Sequence, residues 1–144
     1  MHLSLWMLLG FALWTLLVLV AGIGVERMTL IARGKAGFAS FPADVPHGRD
    51  AYRRMTRAHA NCVENLPVFA AVVLVANLAG SASRLFDALA VAVMAARIAQ
   101  TSVHVLFVVR DLTVAVRFAF YLVQVAAMIW MAALVMAQVG PASL

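Results

Sequence analysis

Apolar residues fill four stretches of this chain, and each is long enough to cross a bilayer as a helix, which takes about 20 predominantly apolar residues. Leu3 to Val25 is the first. The others run from about Ala51 to Leu78, from Leu85 to about Val109, and from about Val114 to Val139. A polar, basic connection from about Glu26 to Arg54 follows the first stretch, and GKAGFASFPADVPHGRD supplies it with Gly and Pro breakers. NLAGSAS and RDLT make the other two turns, both short. One long connection and two short ones predict an all-α membrane protein: an up-down bundle of four transmembrane helices in a single domain over residues 1–144. The N-terminal stretch lacks a basic lead and a small-residue cleavage site, so it reads as a retained span rather than a signal peptide.

Polar residues inside the spans are spaced rather than scattered. At about 100° per residue, positions i, i+4 and i+7 share one helix face. The second span carries Arg57, Asn61 and Glu64 at that spacing; the third carries Arg97, Thr101 and His104, flanked by Gln100; the fourth carries Arg117, Tyr121 and Gln124. Glu64 lies twelve positions in from Tyr52, and Arg97 twelve in from Val109. At about 1.5 Å per residue both sit roughly 18 Å deep, near mid-membrane, where charges pair and face the protein interior. This predicts a structural ion pair between Glu64 and Arg97. Arg57, Asn61, His104, Arg117 and Tyr121 form a shallower layer. Cations kept so close repel one another unless an anion joins them, so this layer reads as a pocket for an anionic ligand. Asn77, Gln100, Thr101 and Gln124, taken singly, read as interhelical glue. Pro67 predicts a kink beside the stripe, and Cys62 reads as a small packing residue.

Composition narrows the class. The chain is 65% hydrophobic and 12% charged, too apolar to cover a water-facing surface. Its net charge of +5 belongs to membrane topology and ligand anchoring, because no basic run is interleaved with stacking aromatics for nucleic acid. Arg27, Arg33, Lys35, Arg49, Arg53 and Arg54 crowd the first connection, Arg110 marks the third, and the second holds only Arg84. The basic side is cytoplasmic by the usual bias, so both termini point outward and the pocket opens to the cytoplasm. Four dispersed His residues and one Cys offer no metal set. Short loops and the lack of a targeting tail point to a bacterial inner (plasma) membrane.

The segment RAHANCVENLPVF, residues 57–69, resembles the signature of the MAPEG family, the membrane-associated proteins in eicosanoid and glutathione metabolism. That pattern is roughly R-A-[HQ]-x-N-x-x-E followed by P-x-F. Arg57, Ala58, His59, Asn61, Glu64, Pro67 and Phe69 fit it. Ala96-Arg97 are similar to the start of the family's third-helix motif, and Arg117 with Tyr121 to the opening of its fourth. The resemblance implies a homotrimer that binds glutathione as co-substrate between subunits near the cytoplasmic side. It places Arg57, Asn61, Glu64, His104 and Tyr121 against glutathione. It gives Arg117 the catalytic role of stabilising the thiolate, with Arg33 and Lys35 as rivals. The chain departs from the family at His104, where better-known members have Tyr, and at Asn65 and Ala60.

The reading that follows is a glutathione-dependent transferase or peroxidase-like enzyme acting on lipophilic electrophiles or hydroperoxides, with membrane lipid around it. A second reading is a non-catalytic membrane protein that binds an anionic lipid or metabolite in the same pocket. A third, a small multidrug transporter, needs an unpaired Glu64 free to exchange protons.

Overall fold

The computed structural model describes residues 2–42 and 47–139; Ala43–Pro46 of the first connection and Gly140–Leu144 lie outside the described residues. Four long helices make the fold: α1 (Leu3–Ala32), α2 (Asp50–Leu78), α3 (Arg84–Leu106) and α4 (Asp111–Val139). All four are long and apolar enough to span a membrane. No strand occurs among the described residues. Helices α2 and α3 form the centre, each packing against the other three.

Helix α1 runs two turns beyond the expected Val25. Its 30 residues reach about 45 Å, past a hydrocarbon core of about 30 Å, so its last turns stand at the basic end of the bundle. Glu26 and Arg27 are polar but good helix formers, and no Gly or Pro stands between Val25 and Gly34. Between Val18 and Gly24 the helix widens to π geometry, which shifts the register of everything after it. Gly22 lies in this stretch, where any Cβ would collide with the Met55 side chain of α2. A larger residue here would force the Met55 side chain aside.

The other ends follow local chemistry. Gly80 takes φ +64 after α2; its N–H bonds the Asn77 carbonyl and that of Ser81 bonds Ala76 (2.9 Å), a Schellman closure. Ser83 caps α3, its hydroxyl accepting from the Phe86 N–H at 3.2 Å. Helix α3 stops at Leu106, short of the expected Val109, because Phe107 turns extended and two β-branched residues follow. Helix α4 starts at Asp111, a turn before the expected Val114. There Thr113 Oγ1 accepts from the Arg110 N–H at 2.9 Å, and Asp111 faces the positive end of the helix dipole. Pro67 sits within α2, which continues to Leu78.

The core holds Phe11, Cys62, Phe69, Val73, Phe86, Val93 and Met131, all fully buried, with the Phe11 and Phe69 rings 5.6 Å apart. Large apolar side chains such as Trp6, Leu13, Val20, Leu74 and Trp130 face outward instead. That inversion suits hydrocarbon, not water.

Candidate functional site

At the basic end the helices part around a cavity of about 650 Å³. Helix α1 contributes Arg27; α2 contributes Tyr52, Arg53, Arg54 and Arg57; α3 and the turn after it contribute His104, Val108 and Val109; α4 contributes Arg117. Among the described residues, five arginines therefore line a space whose single acidic wall residue is Asp50. Like charges so enclosed raise the local potential and call for an anionic occupant. Val108 and Val109 add an apolar flank.

Each charged side chain is aimed by its helix. Arg53, Arg54 and Arg57 stand three and four residues apart, so one face of α2 presents all three. Buried glutamines hold α3 and α4 in register below them. Gln124 Nε2 donates to Gln100 Oε1 at 3.0 Å, and Gln100 Nε2 donates to the Arg117 carbonyl at 3.1 Å. The expected glue role of Gln100 and Gln124 thus has a specific object: it fixes the backbone that carries Arg117. Across the cavity, Arg27 Nε donates to the Tyr52 hydroxyl at 2.7 Å, and the guanidinium lies over the Phe41 ring at 5.2 Å. The His47 ring packs beside Tyr52, 5.3 Å between centroids, so it is half-buried rather than the solvent residue its sequence context suggests. Arg49 and Glu26 close a bidentate ion pair on the outer surface (2.6 Å), joining α1 to the start of α2.

Of the expected site residues, the cavity brings together Arg57, His104 and Arg117. Asn61, Glu64 and Tyr121 are not among its wall. Glu64 and Tyr121 are exposed on α2 and α4, and Asn61 is half-buried. Arg33 and Lys35 are exposed, away from the wall.

The expected ion pair of Glu64 with Arg97 does not form within the protomer; Arg49–Glu26 is the ion pair among the described residues. At this depth the two side chains turn opposite ways. Arg97 points into the bundle, fully buried, its guanidinium 5.2 Å from the Phe11 ring centroid, while Glu64 points out. Arg97 Nε and Nη2 find no hydrogen-bond partner among the described residues. Cys62 Sγ lies 3.8 Å from Thr101 Oγ1 in the same layer, packed in the core as expected. The spacing that put both residues on polar stripes could not give the direction in which each faces, because the angle between two helices is a tertiary quantity.

Arg27, Tyr52, Arg53 and Arg54 are the cavity residues that spacing alone did not single out. The i, i+3 and i, i+4 relation of Arg53 and Arg54 to Arg57 was a usable signal. Arg27 needed the length of α1, and Tyr52 needed the Arg27 contact.

The sequence model of the MAPEG family matches residues 4–137, nearly the whole chain. The chain belongs to the MAPEG family. As a member it is a multi-pass integral membrane protein of the glutathione and eicosanoid metabolism group, in keeping with four apolar helices. Neither the curated proteins nor the solved structures yielded a significant match. Among the described residues no cluster of His, Cys, Asp and Glu could hold a metal ion.

Proposed function

We propose that this MAPEG protein is a glutathione-dependent transferase or peroxidase-like enzyme of a bacterial inner membrane, acting from the cytoplasmic side on lipophilic electrophiles or hydroperoxides. The observation that carries this reading is the cavity wall at the basic end of the bundle, where the described residues set five arginines against one acid. Glutathione brings two carboxylates and a thiol, and guanidinium groups recognise carboxylates by charge-assisted hydrogen bonds. Its thiol has an ordinary pKa near about 8.5 and attacks only as thiolate, which a neighbouring cation favours. Arg117 takes that role, with Arg57 and His104 beside the bound peptide. The thiolate sulfur then attacks the electrophilic carbon of a lipophilic substrate lying along Val108 and Val109, forming the C–S bond as the leaving group departs with its electron pair. With a hydroperoxide the thiolate instead attacks the terminal oxygen, forming an S–O bond as the O–O bond breaks and the alcohol leaves; a second glutathione then attacks the sulfur of the resulting sulfenic acid, giving the disulfide and releasing water.

Glu64, Asn61 and Tyr121 fit the same reading through oligomerisation. An exposed carboxylate near mid-membrane is costly against lipid. A homotrimer would cover the outer face of α2 with a neighbour and let these residues complete each glutathione site.

The second reading, an anionic lipid or metabolite held without turnover, draws on the exposed Leu106, Phe107 and Leu112 beside the cavity. Conjugation of glutathione to an aromatic halide tests between them. Turnover that disappears in Arg117→Ala and persists in Cys62→Ala supports the enzyme. Absence of turnover with retained binding of anionic lipid supports the second.

A further inference from the structure

Tyr52 has a place in the cavity that the proposed chemistry does not use. It lies in the first turn of α2, is only 6% exposed, and its ring is one wall of the space that Arg57, His104 and Arg117 also line. Its hydroxyl oxygen accepts from Arg27 Nε at 2.7 Å. Among the described residues nothing accepts from its O–H. A phenol whose oxygen is already fixed by a guanidinium has its proton left to give, and the cation makes that proton a better donor. Buried phenols normally find a partner for the O–H. Here the space it borders is the cavity.

Depth decides what it would meet. Tyr52 stands five residues before Arg57, about 7.5 Å closer to the membrane surface at about 1.5 Å per residue. It therefore addresses the part of a bound peptide that lies nearest the mouth, not the sulfur beside Arg117. Negatively charged acceptors are the chemistry suited to a phenol held by arginine and flanked by Arg53 and Arg54.

We infer that Tyr52, oriented by Arg27, is a carboxylate-binding residue that positions the thiol peptide in the cavity. The inference rests on the glutathione reading above. It also explains how the cavity keeps a phenol although position 104 holds His: the hydroxyl comes from α2 instead of α3.

The test uses the full-length protein in detergent. Dissociation constants are measured for wild type and Tyr52→Phe with three thiols: glutathione, its glycine monoethyl ester, and 4-aminobutyryl-cysteinylglycine, which lacks the γ-glutamyl carboxylate. Tyr52→Phe keeps the ring that packs on Arg27 and His47 and removes only the hydroxyl. Glutathione should bind about tenfold more weakly to Tyr52→Phe, as for loss of one hydrogen bond to a charged group. That loss should vanish for whichever analogue lacks the contacted carboxylate, and the ligand-free melting temperature should fall only slightly, by the loss of the Arg27 bond. Should Tyr52→Phe fail to fold, Arg27→Gln releases the same hydroxyl and should reproduce the analogue dependence. Unchanged glutathione affinity in the variant, or an equal loss for all three thiols, overturns the assignment while leaving the glutathione reading intact. Failure of wild type to bind any of the three overturns both.

Discussion

Arg117 and Arg97 are both arginines inside a span, yet their surroundings ask different things of them. The Arg117 backbone is held by Gln100, so its side chain can be removed without undocking α4. Arg117→Ala is expected to lower the conjugation rate about 10²-fold, the usual cost of one electrostatic stabiliser, while the melting temperature stays close to wild type. A rate loss matched by unfolding would place Arg117 in the scaffold instead. Arg97 is a buried cation with two nitrogens unpaired among the described residues, stacked on Phe11. Arg97→Met keeps the volume of the stem and removes the charge, so it should be tolerated. Arg97→Ala leaves a cavity and should cost about 2–5 kcal/mol more. Equal losses in the two variants would mean that the guanidinium, not the volume, holds the layer together. That both arginines stand on polar stripes was legible from their spacing. Which way each faced was not, since a helical stripe records an angle on one helix and says nothing of its neighbour.

Two helix contacts set where those residues stand. The first is the close approach of α1 and α2 at Gly22 against Met55. Gly22→Val is expected to destabilise by about 1–3 kcal/mol through overpacking, and Met55→Ala should recover part of the loss in the double variant. The second is the Gln124–Gln100 bond that joins α4 to α3. Gln124→Leu strands a buried Gln100 oxygen and should cost about 1–3 kcal/mol in denaturation, with a larger relative loss in activity because Arg117 sits on that junction. Span number, order and approximate limits were readable from hydropathy alone. The ends were less so, because they depend on caps such as Thr113 and on breakers such as Gly34 more than on apolar content. The two extra turns of α1 carry polar residues, which hydropathy discounts, and they deliver Arg27 to the cavity.

For the whole molecule, the arrangement is a lipid-facing bundle with a cationic cavity at one end and an uncovered polar stripe on α2. Glu64 is exposed on that stripe, so Glu64→Gln is expected to weaken self-association in detergent, read by analytical ultracentrifugation, more than it alters the fold of the protomer. An unchanged association state would show that the α2 face meets lipid or another partner. That Arg57, His104 and Arg117 share one cavity was foreseeable from the sequence; its wider wall, with Arg27 and Tyr52, emerges only once α1 and α2 are docked. The central claim is that this wall binds glutathione, and thermal unfolding of the purified protein tests it most directly. Millimolar glutathione should raise the melting temperature of wild type, with a smaller rise at high salt and in Arg57→Ala. No shift with glutathione, alongside a clear shift with an anionic phospholipid, would contradict the account.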